Sequence, residues 1–541
     1  MPLRLNLITL PAELLQHILI FLEPHDLARI AQTCHALLVQ SYDDQIWQPL
    51  VNRNLPSPIT SPTPLRSFRE LYAAHHPHWF IVRHQLWFSD VEPHGKLVIS
   101  RYDAQRGCIM AYAVAAERLN HVLQWWEKDP EVVIHGFNPR PSLDLEKPVV
   151  KLDVGSPRTN NLPNNEPSDR AYAPPSFYSQ ETIMETTDTA GVHSSLMLCR
   201  NLPKAAISEQ TKVWPPHAFQ SASRVRSSSG DGFQSSGHRP TRYEEVSQHH
   251  FRVRKWVEYH HRRPTPAPIT ITSPIGYASA LGINVGPYFD GHRTSSSNGG
   301  MSILMNEEVQ TFATLPKSMY TPTPDKPWQG LWCGDYSGHG IEWLIITQPD
   351  KKNERPLPSG MDWLRPYFRG GRRESSSSES SYASAKEEMD YGEASRQQGA
   401  TDPVFAIDGP IEPSEVLCGF TDLPHLRTAQ ETTDCADAPS GRLEAIKLTG
   451  DPNIPRGHYT FIAPDIGPGG LLRIADEEIF KGARIVRSAG HIAGRGFQDD
   501  QYTLSQLIMI SHDRVAQYWE GFGHISYYQR VDVDALMKLA E

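Results

Sequence analysis

The sequence predicts an α+β fold: a short N-terminal helical unit, then a mainly antiparallel β-domain, interrupted by long disordered inserts. Three observations predict it. Apolar residues recur at helical spacing most strongly near the N-terminus. Further on they come in short runs split by glycine, proline and polar turn residues, the pattern of strands. The 45 prolines and a hydrophobic fraction of 39% over 541 residues leave segments too poor in apolar surface to offset the entropy of ordering them.

Bulk properties narrow the function. A net charge of −10 gives no general attraction to nucleic acid. No apolar run approaches the roughly 20 residues that cross a bilayer, so no membrane partner is expected. The six cysteines are scattered, and none forms a Cys-x-x-Cys pair. That usage fits a reducing compartment, cytoplasmic and/or nuclear, better than a disulfide framework. No metal or other cofactor is expected.

Residues 5–51 read as three short helices. Pro11 suits a first helical turn, where its missing N–H costs nothing. Leu14, Ile18 and Leu22 then recur every four residues, with Leu15 and Leu19 beside them, as an apolar stripe. Glu23-Pro24-His25 breaks the helix. Asp26 is placed to cap a second one, whose stripe is Leu27, Ile30, Ala31, Cys34, Leu37 and Leu38. Asp43-Asp44 start a third, with Ile46, Trp47, Leu50 and Val51. Full burial of each large side chain is worth about 1.5–3 kcal/mol. Three short helices cannot bury this many on one another. The surplus is met either by a partner or by a larger domain that the unit caps.

Residues 52–66 read as a Pro/Ser/Thr-rich linker and residues 67–75 as a short helix. Runs at 79–82, 86–88, 97–99 and 108–114 read as strands, so that 67–152 form the first part of the β-domain. Residues 153–245 read as a disordered insert. Residues 246–262 read as a helix, with Val253, Trp256, Val257 and His260 on one face. That segment also admits a basic amphipathic anchor, or a metal site from His249, His250, His260 and His261. Adjacent histidines point apart on a helix, which disfavours the shared site. Strands return at 305–350 and 441–535, around a second disordered insert at 351–440. Paired short strands with tight turns suggest a barrel or a sandwich.

One stretch carries a possible reaction. Tyr336-Ser337-Gly338-His339-Gly340 is similar to the histidine motif of caspase-like cysteine peptidases, and Cys435 is a candidate nucleophile. In those enzymes each motif follows a buried parallel strand, a continuous apolar run. The residues before Cys435, TDLPHLRTAQETTD, contain none. A nucleophile there has neither orientation nor an oxyanion hole. The glycine-rich stretch at 490–496 opens no helix, so it lacks the main physical basis of a phosphate cradle. No catalytic residue is assigned; a peptidase using His339 and Cys435 is the alternative.

Two resemblances cover much of the rest. Leu10-Pro11-Ala12-Glu13-Leu14-Leu15, Ile18, Leu22, Asp26-Leu27, Cys34 and Ile46-Trp47 resemble an F-box. That implies binding to a Skp-type adaptor, and through it a cullin–RING ligase, with contacts from Leu10, Pro11, Leu14, Leu15, Ile18, Leu22, Leu27, Ile30, Cys34 and Trp47. Four later blocks look like the F-box-only receptors of D-type cyclins. They are Trp79 to Ile99, GLWCGDYSGHGIEWLIIT from Gly330, KLTGDPNIPRG from Lys447, and GHIAGRGF from Gly490 with the hairpin through Trp519. This second resemblance implies a β-barrel that binds C-terminal tails of target proteins, including C-terminally amidated fragments. An aspartate suits an amide, since it accepts from the NH₂ and repels a free carboxylate. Asp451 takes that part, with Asn453, His491 and Ala493 near the terminal carbonyl, Trp332, Tyr336 and Phe497 as walls, and His339 at the rim. The expected function is substrate recognition in a Skp–cullin–F-box ubiquitin ligase, without bond chemistry of its own; an F-box scaffold acting outside the ligase is the third reading. Animal members carry an apparent Cys/His zinc cluster, for which this chain offers only Cys199 with His193 and His217 nearby.

Overall fold

The computed structural model describes residues 7–117, 123–154, 181–184, 192–208, 211–227, 238–261, 301–335, 340–352, 354–364 and 439–539. All counts below refer to these residues. The chain builds three layers: N-terminal helices, a nine-stranded antiparallel sheet, and a closed barrel.

The helical layer begins with α1 (Ala12–Leu19), α2 (Pro24–Ile30), α3 (His35–Ser41) and α4 (Asp44–Asn52). The predicted second helix is thus two. Thr33 Oγ1 donates to the Ile30 carbonyl at 2.7 Å and Cys34 is extended, with φ −160°, which ends the first and starts the second. The third predicted helix starts as read, with the Asp43 carboxylate accepting from the Gln45 N–H at 2.8 Å. Next come α5 (Phe68–His75), as predicted, and α6 (Trp79–His84). Residues 79–82 were expected to be a strand. Four consecutive buried residues do not distinguish a buried strand from a buried helix by periodicity.

Along the nine-stranded sheet, residues alternate between two cores. Trp87, Val98, Phe251 and Phe312 face the helices and share one cluster with Leu15, Leu27, Trp47 and Trp79. Leu86, Phe88, Leu97, Ile99 and Ala313 face the barrel. The sheet contains two surprises. Val246–His261 is a strand, not a helix, paired between Val192–Arg200 and Met301–Thr314. Phe251 and Val253 alternate inward, and pairing on both sides overrides the helical spacing of Val253, Trp256 and Val257. The insert at 153–245 is in part ordered: Glu181–Met184 and Val192–Arg200 extend the sheet, and Val213–Trp214 pairs with Val225–Arg226. Its few apolar residues, among them Cys199, Trp214, Phe219 and Val225, find partners far away in sequence. Met361 and Leu364, in the second predicted insert, pack on Ile462 and Ala489; residues 365–438 lie outside the described residues.

Eight strands close the barrel: Gly330–Asp335, Ile341–Thr347, Leu443–Lys447, Tyr459–Ala463, Arg484–Gly494, Gln498–Met509, Arg514–Trp519 and His524–Val531. The first pairs with the last, Leu331 opposite Val531. Each strand sends residues into one interior cluster, including Trp332, Leu344, Phe461, Leu507 and Tyr528. A barrel of this size is filled by its own side chains. Leu331, Cys333, Trp343 and Ile345 point outward, into the core shared with the sheet. Burial on both faces explains the unbroken apolar run at 343–346. A further hairpin, Leu123–Trp126 with Asp129–His135, joins the barrel through a parallel pairing of Val133 with His524.

Candidate functional site

A cavity of about 440 Å³ opens where the barrel meets the sheet. Its base is the loop after Leu443–Lys447. Leu448 and Thr449 donate to the Trp343 carbonyl at 2.8 and 3.2 Å, and Thr449 Oγ1 accepts from the Trp343 N–H at 2.9 Å. The loop then crosses to the sheet connection at 90–96: Gly450 N–H donates to the His94 carbonyl at 2.9 Å. A Cβ on Gly450 would collide with the Pro93 carbonyl oxygen, so this crossing requires glycine.

Asp451 shapes the turn. Its Oδ1 accepts the N–H groups of Asn453 and Ile454, both at 2.6 Å. Its Oδ2 accepts from Lys447 Nζ, which also donates to Glu342 Oε2 at 2.6 Å. All three side chains are buried. Burial disfavours the Asp451 carboxylate, but Lys447 and the hydrogen bonds outweigh it and hold its pKa well below the usual range. Burial also pushes Glu342 well above its usual value, with Lys447 opposing.

Asn453 Nδ2 donates to the Ala493 carbonyl at 3.0 Å, and Gly496 N–H to the Pro452 carbonyl at 2.8 Å. Phe497 thereby lines the cavity in the left-handed region, with φ 60°. Arg456 ties the far wall. Its guanidinium donates to the Asp90 carbonyl at 2.6 Å, to that of Pro93 at 3.2 Å and to that of Val91. Its plane lies 5.4 Å from the Trp214 ring, which forms the wall given by the insert.

The site residues read from sequence therefore divide. Asp451, Asn453 and Phe497 line the cavity, and Ala493 touches it through Asn453. His491 stands a layer behind: its Nδ1 donates to the Tyr459 carbonyl at 3.0 Å, and its ring stacks on Tyr502 at 4.3 Å and meets Phe497 at 5.9 Å. Trp332, expected as a wall, is fully buried inside the barrel and donates to the Trp328 carbonyl at 3.0 Å. Tyr336, His339 and Cys435 lie outside the described residues. The strands flanking the histidine motif pair antiparallel, Asp335 opposite Ile341, unlike the parallel strand a caspase-like loop follows. Sequence reading missed Asp90, Trp214 and Arg456. An isolated Val213-Trp214 in a polar insert was the available signal for the second.

The F-box-like face divides in the same way. Leu15, Leu27 and Trp47 are buried in their own core, and Trp47 Nε1 donates to the Ser41 carbonyl at 2.7 Å. Leu10, Leu22 and Ile30 are half-buried; Pro11, Leu14, Ile18 and Cys34 are exposed. Phe21, 77% exposed, continues the outer face with Leu14, 53% exposed. Among the described residues no group of three His, Cys, Asp or Glu side chains converges as a metal site would.

Comparison with known families fits this geometry. Residues 7–53 match the F-box-like family and residues 312–535 the Cyclin D1 binding domain family. No curated protein matches the chain. The cavity walls at 90–93 and 212–227 lie outside both matches. The helical unit thus resembles an F-box, and the barrel falls within the stretch that resembles a Cyclin D1 binding domain.

Proposed function

We propose that this chain is the substrate-recognition subunit of a Skp–cullin–F-box ubiquitin ligase. Its F-box engages a Skp-type adaptor, and its barrel holds the C-terminal tail of a target protein for ubiquitination and proteasomal degradation. The reading rests on one observation above all: an F-box-like unit with an uncovered apolar outer face shares its inner core with the sheet that backs a Cyclin D1 binding domain. Such a unit holds a target at high effective concentration beside the charged conjugating enzyme and needs no bond chemistry of its own. Cytoplasm and/or nucleus is its proposed location, in keeping with the free thiols of Cys34, Cys108, Cys199 and Cys333.

Asp451 is the proposed anchor for the tail terminus. A carboxylate offers about four acceptor positions. Asn453, Ile454 and Lys447 donate to it and Glu342 shares a further hydrogen bond with it, and its edge lines the cavity where an amide N–H can approach. Matched peptides ending in amide and in carboxylate test this. The amide peptide should bind more tightly, and Asp451→Ala should erase the difference. Equal affinities in the unaltered chain defeat the amide reading.

A further inference from the structure

The cavity rests on a buried charge triad that the tail itself need not touch. Lys447 ends one barrel strand, Asp451 lies four residues on across the Gly450 crossing, and Glu342 comes from the neighbouring strand Ile341–Thr347. The Lys447 ammonium donates to one oxygen of each carboxylate, and all three side chains are almost wholly shielded from water. As a purely structural device this is a poor one, since a buried ion group is often replaced by apolar side chains without loss.

We propose that Lys447 is a positioning residue for tail recognition: it keeps Asp451 an ionised, acceptor-only group toward the tail terminus. This inference rests on the reading that the cavity takes an amidated tail. An ionised carboxylate accepts from an amide NH₂, whereas a protonated one presents an O–H that opposes it. Without the ammonium, the burial that disfavours the Asp451 carboxylate is no longer opposed by a cation. Asp451 then carries a proton part of the time, and its preference for an amide weakens. His458 and His491 also face the triad and act electrostatically on Lys447. Across the cavity stand Asp90, Glu92, Lys212 and Arg456. Their influence is the same in the unaltered chain and in the variants, so it cancels when the ratios of the two are compared at one pH.

The test is the ratio of amide to carboxylate peptide affinity, measured on the full chain at about pH 6 and about pH 8. In the unaltered chain the ratio should favour amide and stay flat. In Lys447→Met it should fall by about tenfold or more at the lower pH and recover toward the higher, one pH unit being a tenfold change in protonation. Glu342→Gln, which leaves the Lys447–Asp451 pair intact, should keep the flat ratio. If Lys447→Met does not fold, the double variant Lys447→Met/Glu342→Gln removes the ammonium together with the second buried carboxyl and should show the same pH-dependent fall. A lysine-free variant with the flat, unaltered ratio overturns the inference and leaves the amide reading standing. An unaltered chain that binds both peptides equally overturns both.

Discussion

The two surfaces proposed to bind partners are built on opposite principles. The F-box face is a helix with two apolar sides: Leu15 and Leu19 turn inward to the core, while Leu14, Ile18 and Phe21 stay in solvent. The barrel cavity is a set of loops whose polar atoms are mostly committed to one another through Asp451, Arg456 and Gly450. The first surface can gain affinity by hiding apolar area. The second can gain specificity, because a buried polar group left unpaired costs about 1–3 kcal/mol. A bridging receptor has use for both: a general handle at one end and a discriminating one at the other.

That contrast can be broken from either side. The largest effect should come from Leu14→Asp with Phe21→Asp. Two exposed anchors at about 2 kcal/mol each amount to about a thousandfold loss of adaptor affinity, by calorimetry, with thermal unfolding unchanged because neither side chain is in the core. Next, Gly450→Ala should destabilise the barrel by about 1–3 kcal/mol and weaken tail binding while sparing the adaptor, since the added methyl meets the Pro93 carbonyl; urea unfolding and peptide titration read the two effects.

Acid should strain the barrel side in particular. His524 is buried beside His135, their rings 4.1 Å apart, where the parallel strand docks. Burial, with His135 adding to it, lowers the His524 pKa to about 3. The unfolded chain, near 6.5, binds the proton first. This group's stability is therefore complete above about pH 6.5 and is lost as pH falls toward about 3, roughly 2 kcal/mol of it by pH 5. Urea unfolding at the two pH values should show a loss at least that large, and His524→Gln should reduce it by about 2 kcal/mol. His84, His250 and His458, whose pKa values burial also lowers, carry the rest. The smallest effect is Asn453→Ala, which removes the donor to the Ala493 carbonyl and should cost about 1 kcal/mol in thermal unfolding.

How much of this was legible follows from the same contrast. Helical periodicity exposed the N-terminal helices, the motif residues carried the resemblance to an F-box, and the Asp43 cap fell where the sequence put it. Yet periodicity could not tell which apolar side of α1 faces out, so Leu15 was given an adaptor contact although it is buried in the core. Phe21, just past the helix end, and the buried Trp47 of α4 were likewise misjudged. In the β-domain, the Lys447–Gly457 block pointed to Asp451 and Asn453, and both line the cavity. Trp332 was misplaced because alternation within a strand buried on both faces gives no clue to which face is the barrel interior. Val246–His261 and the Trp214 hairpin were missed for one shared reason. The strands that flank Val246–His261, and Phe88, whose ring packs on Trp214, lie tens of residues away or more, and local composition does not register such partners.

The most direct test of the bridge is a three-component binding measurement: full chain, Skp-type adaptor and a labelled peptide ending in an amide. The account predicts one complex containing all three. Leu14→Asp/Phe21→Asp should release the adaptor alone, and Asp451→Ala the peptide alone. Loss of both ligands from either variant, or failure of the unaltered chain to hold both at once, would contradict it.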